Sequence, residues 1–300
     1  MSQIAANAVR SDSPTDHGAI GEDCYYLAAS ERVDKEPGMK KQPRRRPNPH
    51  RPPQQKATPN RKESEEQAKG PRNHTLDSLR GLAIALMIVD HVVGIVIGLS
   101  IQDSIIRFCT RLAMPLFCVL MGYFLREDRR FEWHRPAQIL AAAFAVNMLF
   151  FPYYGTIEIL GTLLLAYLAF VAAGRHFPWF VLVIAFYRFD PLRSFFDYPP
   201  TMVIAFVAQG AMLRRHGLVP ALVSGMWLSS GAVWIHALEP NFVNHRLCLF
   251  ILPATLLVYL GQRFPTVKSP GFDWLGRHPL AVYVVQYYLV FLAARIVQLV

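Results

Sequence analysis

The sequence predicts an all-α protein, a polytopic bundle of transmembrane helices that follows a disordered, basic N-terminal tail. Of its 300 residues, 53% are hydrophobic and 17% are charged, whereas a typical soluble domain has about 25% charged residues. Mean hydropathy is +0.23 although the first quarter of the chain is strongly polar, so the apolar residues are concentrated after it. From residue 76 onward they form runs that mostly have the length of a membrane span.

Residues 1–72 form the predicted tail, and residues 73–300 form the predicted membrane domain. The tail has too few apolar side chains to offset the entropy cost of ordering it. Residues 34–72 hold twelve Lys/Arg and five Asp/Glu, a net charge of +7, which favours anionic lipid headgroups and a cytoplasmic N-terminus. No stacking aromatics interleave these charges, so no nucleic acid partner is expected.

Nine apolar runs follow the tail, and we expect about nine spans in the inner (plasma) membrane. The runs at 178–187 and 201–213 are shorter than the roughly 20 residues that cross 30 Å of hydrocarbon, so they are candidates for tilted, half-buried or re-entrant segments. Glu158, at an outer span end, is expected to be interfacial. The runs cover residues 76–99, 105–125, 137–151, 157–173, 178–187, 201–213, 218–236, 247–260 and 279–299.

Basic residues support this topology. With the tail inside, ten Lys/Arg fall in the predicted inner loops and four in the outer loops, as the positive-inside rule requires. The C-terminus then lies outside. No cysteine pair has the spacing of a zinc or redox site, so no metal is expected.

The run Leu76–Leu99 is the candidate functional segment because it carries Asp90 and His91 inside an apolar stretch. Arg80 precedes His91 by eleven residues, so in a helix the two side chains share a face about 16 Å apart. Charges in hydrocarbon cost about 2.5–3.5 kcal/mol each on insertion scales, so this face should point into the bundle. We expect Arg80 near the cytoplasmic surface and His91 around mid-membrane.

His91 is suited to general base catalysis, with Asp90 as the group that orients it. Neighbouring residues diverge by about 100° on a helix, so contact between the two side chains is open. The alternative is a buried histidine with a purely structural hydrogen bond. Arg111, inside the second run, is expected to bind an anion or to pair with Asp103 or Asp90.

Arg130 and Arg135, in the first inner loop, fit either the phosphates of a nucleotide-like cofactor or ordinary positive-inside charge.

Three segments resemble multi-pass membrane acyltransferases, a group that includes the acyltransferase-3 family, the OpgC glucan succinyltransferases, the heparan-glucosaminide N-acetyltransferase-like proteins and the TraX pilin acetylases. LDSLRGLAIALMIVDHV is similar to their opening span, and Arg80 and His91 match the acyltransferase-3 pattern of Arg, ten residues, then His. Arg111–Leu125, RLAMPLFCVLMGYFL, is similar to the second TraX span. Leu275–Gln286, LGRHPLAVYVVQ, is similar to a late segment of the OpgC and heparan-type branches.

This resemblance implies an acyltransferase that transfers a group other than aminoacyl. An acyl group, expected to be acetyl, would pass from acyl-CoA to a glycan hydroxyl, an amine or a peptide terminus. His91 would activate the acceptor, and Arg80, Arg111, Arg130 and Arg135 would meet the phosphates of the cofactor. The alternatives are a proton-coupled transporter or flippase of a polar lipid or small acid, and a degenerate relative that only scaffolds other proteins.

Overall fold

The computed structural model describes residues 73–99, 104–126, 133–239 and 243–299. Within these ranges the regular structure is helical, apart from one bridge between Ile157 and Phe196. The predicted tail, residues 1–72, lies outside them, as does Arg130. The α-helices are α1 (His74–His91), α2 (Ile105–Thr110), α3 (Ala113–Phe124), α4 (His134–Tyr154), α5 (Ile159–Ala173), α6 (Pro200–His216), α7 (Leu218–Leu238), α8 (Ile251–Arg263), α9 (Pro270–Arg277) and α10 (Pro279–Leu299), with 3₁₀ segments at Gly174–Phe189 and Val243–Phe250 and a π-helical turn at Val92–Val96.

The described residues hold seven helical stretches that are long and apolar enough to cross a membrane. They indicate a membrane protein, whereas the prediction of nine spans is not confirmed. The run at 178–187 lies in one continuous helical stretch with α5, from Ile159 to Phe189. The run at 201–213 forms α6, which has 17 residues.

Helix α6 is a central element of the bundle. Twelve of its seventeen residues are buried, which explains why a short run is nevertheless almost uniformly apolar. It packs backbone to backbone on α3, because a Cβ atom at Gly210 would lie 2.0 Å from the Val119 carbonyl oxygen. Its buried Gln209 forms hydrogen bonds with Ala221 and Ser224 of α7 and with Thr255 of α8, so this polar side chain joins three helices.

Helix α1 begins at a capped position and turns its polar stripe inward. The Asn73 side chain accepts a hydrogen bond from the Leu76 amide at 3.1 Å, the usual arrangement at a helix N-terminus. Asp77, Ile84 and Met87 on the stripe are buried, so the inward orientation predicted from the 3.6-residue period is confirmed.

The bundle has two ends that carry different residues. At one end, which we call the Arg80 end, the Arg214 guanidinium donates to the carbonyls of Tyr123 and Leu125, at the C-terminus of α3. At the other, the His91 end, the bridge between Ile157 and Phe196 joins the turn before α5 to the loop before α6.

Candidate functional site

His91 lies near the end of its span. It is the eighteenth of the 23 residues from His74 to Val96, about 26 Å along the axis from the first. It therefore lies toward the loops of the His91 end of this helical stretch, and its depth around mid-membrane stays a prediction. The α-helix gives way to a π-helical turn immediately after it, at Val92–Val96, and such turns inside helices are frequent at functional sites.

A small enclosed space, the His91 cavity, surrounds this histidine. Its volume is about 40 Å³, room for about three water molecules. Helices α1, α2, α3, α5 and α10 contribute to its wall, together with the turn before α5 and the loop before α6. Its polar lining consists of Asp90, His91, Thr110, Arg111, Glu158, Asp197, Tyr198, Tyr283 and Tyr287.

The two ring nitrogens of His91 have different surroundings. The Tyr287 hydroxyl lies 3.3 Å from Nε2, and the two ring centroids are 4.7 Å apart. Nδ1 is buried and has no hydrogen-bond partner in the part of the chain that the structure describes.

Glu158 is a buried acid of the site that directly precedes the apolar stretch beginning at Ile159, and its interfacial depth in the membrane stays a prediction. It is 1% exposed. One carboxylate oxygen accepts from the Leu160 amide at 2.9 Å, and the other accepts from the hydroxyls of Tyr283 and Tyr287, the latter at 3.4 Å. Burial raises the pKa of Glu158 to about 7, against the opposing effect of the hydrogen bonds from Tyr283 and Leu160.

Asp90 points away from His91 and toward α2. Its Oδ1 atom accepts from Thr110 Oγ1 at 2.8 Å and from Arg107 Nε at 3.4 Å. The 100° offset between neighbouring residues explains this direction. Asp90 fixes α1 against α2, and a catalytic role for it stays a prediction.

Arg111 lies at the His91 cavity and is 8% exposed. Its guanidinium donates to the Tyr198 hydroxyl at 3.2 Å. Burial raises the pKa of the neighbouring Asp197 to about 6, and the positive charge of Arg111 opposes that shift. Asp103, one of the partners proposed for Arg111, lies outside the described residues.

A second space, the Arg80 cavity, lies at the opposite end and has a volume of about 190 Å³. Arg80 and Arg135 line it, and most of its remaining wall is apolar. Arg80 donates to Asp77 at 3.2 Å and to the Gly276 carbonyl at 3.1 Å, and its guanidinium lies 4.5 Å from the centroid of the Phe124 ring.

The four predicted cofactor arginines therefore separate. Arg80 and Arg135 lie together at one cavity, Arg111 lies with His91 at the other, and Arg130 falls outside the described residues.

The two cavities share four helices, because α1, α3, α5 and α10 line both of them. On α3 and α10 the residues that line one cavity lie three positions from those that line the other, a rise of about 4.5 Å. The residues paired in this way are Met114 with Phe117 on α3 and Tyr283 with Leu280 on α10, whereas on α5 the adjacent residues Ile159 and Leu160 line one cavity each.

Sequence reasoning missed several residues of the site. Tyr283 and Tyr287 lie four residues apart on α10, a spacing that places both on one helix face, but tyrosine in an apolar span is not by itself a functional signal. Asp197 and Tyr198 lie in a loop that no periodicity marks. The contact of Arg107 with Asp90 was not predicted either.

Comparison of the chain with protein-family models, curated proteins and solved structures gives no match. The resemblance to membrane acyltransferases therefore stays a prediction, supported by the three sequence segments that carry it.

Proposed function

We propose that this protein is an integral membrane acyltransferase, which moves an acyl group from acyl-CoA to a hydroxyl or amine acceptor such as a glycan. The observation that carries the proposal is a pair of cavities lined by the same four helices. His91 lies in the enclosed polar cavity, and Arg80 and Arg135 flank the larger one. Such a layout separates a reaction centre from a site for an anionic donor.

His91 acts as the general base. It removes the proton from the acceptor hydroxyl, whose oxygen attacks the thioester carbonyl and forms a new C–O bond. The C–S bond then breaks, and the proton on His91 passes to the departing thiolate. Arg111 lies beside the cavity with its guanidinium on the Tyr198 hydroxyl, so it supplies positive charge where the oxyanion of the tetrahedral intermediate develops.

Arg80 and Arg135 hold the donor phosphates. Guanidinium groups suit this role because they stay protonated and offer a planar set of donors to phosphate oxygens. The charge bias of the loops puts the Arg80 end in the cytoplasm, where acyl-CoA is expected. The N-terminus is then cytoplasmic and the protein lies in the plasma membrane.

The test is the consumption of radiolabelled acetyl-CoA by purified protein in lipid nanodiscs, with water, glycans or peptides as acceptors. We expect His91→Ala to slow transfer by about 10²–10⁴-fold, the usual contribution of a positioned acid–base group. His236→Ala, at an exposed position, is the matched control. Full transfer by His91→Ala rules out the assigned role of this residue.

A second candidate function, proton-coupled transport, is favoured by one observation. His91, Tyr287, Glu158 and Tyr283 form a continuous chain of buried titratable groups, and buried ionisable chains occur in proton pathways. Uptake of a small acid by reconstituted vesicles in a proton gradient, with no acetyl-CoA consumed, would support transport over acyl transfer.

A further inference from the structure

The hydrogen of the Tyr287 hydroxyl has a defined acceptor. This hydroxyl lies between His91 Nε2 at 3.3 Å and Glu158 Oε1 at 3.4 Å. It has a single hydrogen, and above the pKa of about 7 that burial gives Glu158 the carboxylate is ionised and can only accept. The Tyr287 hydrogen therefore points to Glu158, and the lone pair of the hydroxyl is left for a donor on His91.

This arrangement selects one tautomer of His91. A neutral imidazole carries a hydrogen on one nitrogen and a lone pair on the other. With the hydrogen on Nε2, that nitrogen donates to Tyr287. Nδ1, which is buried and has no hydrogen-bond partner among the described residues, then carries the lone pair.

Glu158 is held in place from three helices. Its backbone amide donates to the Asn147 side chain of α4 at 3.0 Å, and Asn147 is itself tied to the Ala143 carbonyl. The Leu160 amide of α5 and the Tyr283 hydroxyl of α10 donate to its carboxylate. A carboxylate fixed by several donors is a suitable anchor for an oriented histidine.

We propose that His91 accepts the substrate proton on Nδ1, and that Glu158, acting through Tyr287, is the positioning residue that fixes this tautomer and stabilises the imidazolium. The inference rests on the proposed acyl transfer and assigns the acid partner of His91 to Glu158. The proton moves from the acceptor oxygen to Nδ1 and returns from Nδ1 to the thiolate. The Nε2 hydrogen stays on His91 throughout.

The first measurement does not depend on activity. Nitrogen NMR of protein in nanodiscs, with ¹⁵N-labelled histidine and the His91 signal assigned by its loss in His91→Ala, reports which ring nitrogen carries the hydrogen. At about pH 8, where Glu158 is ionised, we expect Nε2–H in the wild type, and a mixture of tautomers in Tyr287→Phe and Glu158→Gln. Tyr288→Phe is the matched control, because it removes a hydroxyl of the same helix that donates to the Ala145 carbonyl and not to Glu158.

Two results would overturn the inference: a wild-type His91 with its hydrogen on Nδ1, or a tautomer that is unchanged in both Tyr287→Phe and Glu158→Gln. Tyr287→Phe keeps the size and apolar body of the side chain, so it still tests the tautomer of His91 if Glu158→Gln fails to fold. Absence of acetyl-CoA turnover in the wild type would instead contradict the proposed function. The NMR measurement would still decide which nitrogen of His91 carries the hydrogen.

The second measurement is kinetic. We expect Tyr287→Phe to lower kcat by about 10–100-fold with little change in KM for acetyl-CoA, since the partner that orients the histidine is lost and donor binding is not. Tyr288→Phe, whose hydroxyl donates to the Ala145 carbonyl outside the site, should stay within about threefold of the wild type. Equal losses in both variants would show that the tyrosines serve packing alone and would contradict the positioning role.

Discussion

The two ends of the helix bundle differ in the charged side chains that they carry and in the size of the cavity beside them. At the His91 end, the carboxylates of Asp90 and Glu158 are bound by side chains from other parts of the chain, and the enclosed space is about 40 Å³. At the Arg80 end, two arginines lie on a larger cavity of about 190 Å³ whose wall is mostly apolar. The first arrangement is typical of a site that orients reacting groups, and the second of a site that binds a ligand.

This difference predicts that substitutions at the His91 end change kcat and that substitutions at the Arg80 end change KM for the donor. A substitution at the His91 end that changes only KM, or one at the Arg80 end that changes only kcat, would contradict this assignment. A substitution that changes the predicted parameter alone would support it.

The largest expected difference is between the two acids near His91. Glu158→Gln should lower kcat by about a hundredfold because the amide cannot stabilise the imidazolium through Tyr287. Asp90→Asn should cost less than about tenfold, since the side chain still accepts from Thr110 and lies away from the His91 ring. Steady-state rates of acetyl transfer compare the two. A larger loss in Asp90→Asn would make Asp90 the acid partner of His91.

The packing of α1 on α9 should be the most sensitive feature of the Arg80 end. A Cβ atom at Gly276 would lie 1.9 Å from the Asp77 carbonyl oxygen, so Gly276→Ala should destabilise the protein by about 1–3 kcal/mol or more. Gly271→Ala, in the same helix but with open space around its Cβ position, should be neutral or slightly stabilising. Thermal unfolding in detergent measures both, and equal melting temperatures would contradict the close approach of these helices.

Arg135→Gln should raise KM for acetyl-CoA by about tenfold and leave kcat nearly unchanged, because a charge-assisted hydrogen bond to phosphate is worth about 1.5–3 kcal/mol. Arg295→Gln removes an exposed arginine of α10 that stacks on Tyr153, and it serves as the control. The binding of acetyl-CoA, measured by calorimetry in nanodiscs, checks the change. Unaltered donor affinity in Arg135→Gln would remove this residue from the donor site.

The smallest expected effect is a pH dependence of stability at the His91 end. Burial raises the pKa of Asp197 to about 6 and that of Glu158 to about 7. The folded protein then binds more protons than the unfolded chain between about pH 4 and 7, so the contribution of these two groups falls as pH rises through that range.

Asp197→Asn should reduce this pH dependence by a few degrees of melting temperature between pH 5 and pH 8. Thermal scans of the wild type and the variant at both values test it. An identical pH dependence in the two proteins would show that the pKa of Asp197 is not raised in the folded protein.

The sequence was informative where local pattern decides the structure. The 3.6-residue period of α1 predicted that the face shared by Arg80 and His91 points inward, and Asp77, Ile84 and Met87 on that face are buried. Hydropathy located most of the helices. The sequence did not predict the burial of Glu158, because a single acid at the edge of an apolar run gives no sign of its partners. Its true surroundings come from Tyr283 and Tyr287, 125 and 129 residues later.

Helix α6 shows that the length of an apolar run does not by itself predict how the helix is placed in the bundle. Its run at 201–213 was too short for a simple span and was expected to be tilted, half-buried or re-entrant. The helix is in fact buried among α3, α7 and α8, where its glycine and glutamine make contacts that hydropathy does not encode. The cavities could not be predicted for a similar reason, since each is formed by side chains from helices far apart in sequence.

The measurement that tests the central claim most directly combines binding and turnover in one variant. Acetyl-CoA is added to His91→Ala in nanodiscs, its affinity is measured by calorimetry, and thioester cleavage is followed in the same sample. Donor affinity equal to that of the wild type, with cleavage at least about a hundredfold slower, is the predicted result. Cleavage at the wild-type rate would contradict the assignment of His91 as the reaction centre.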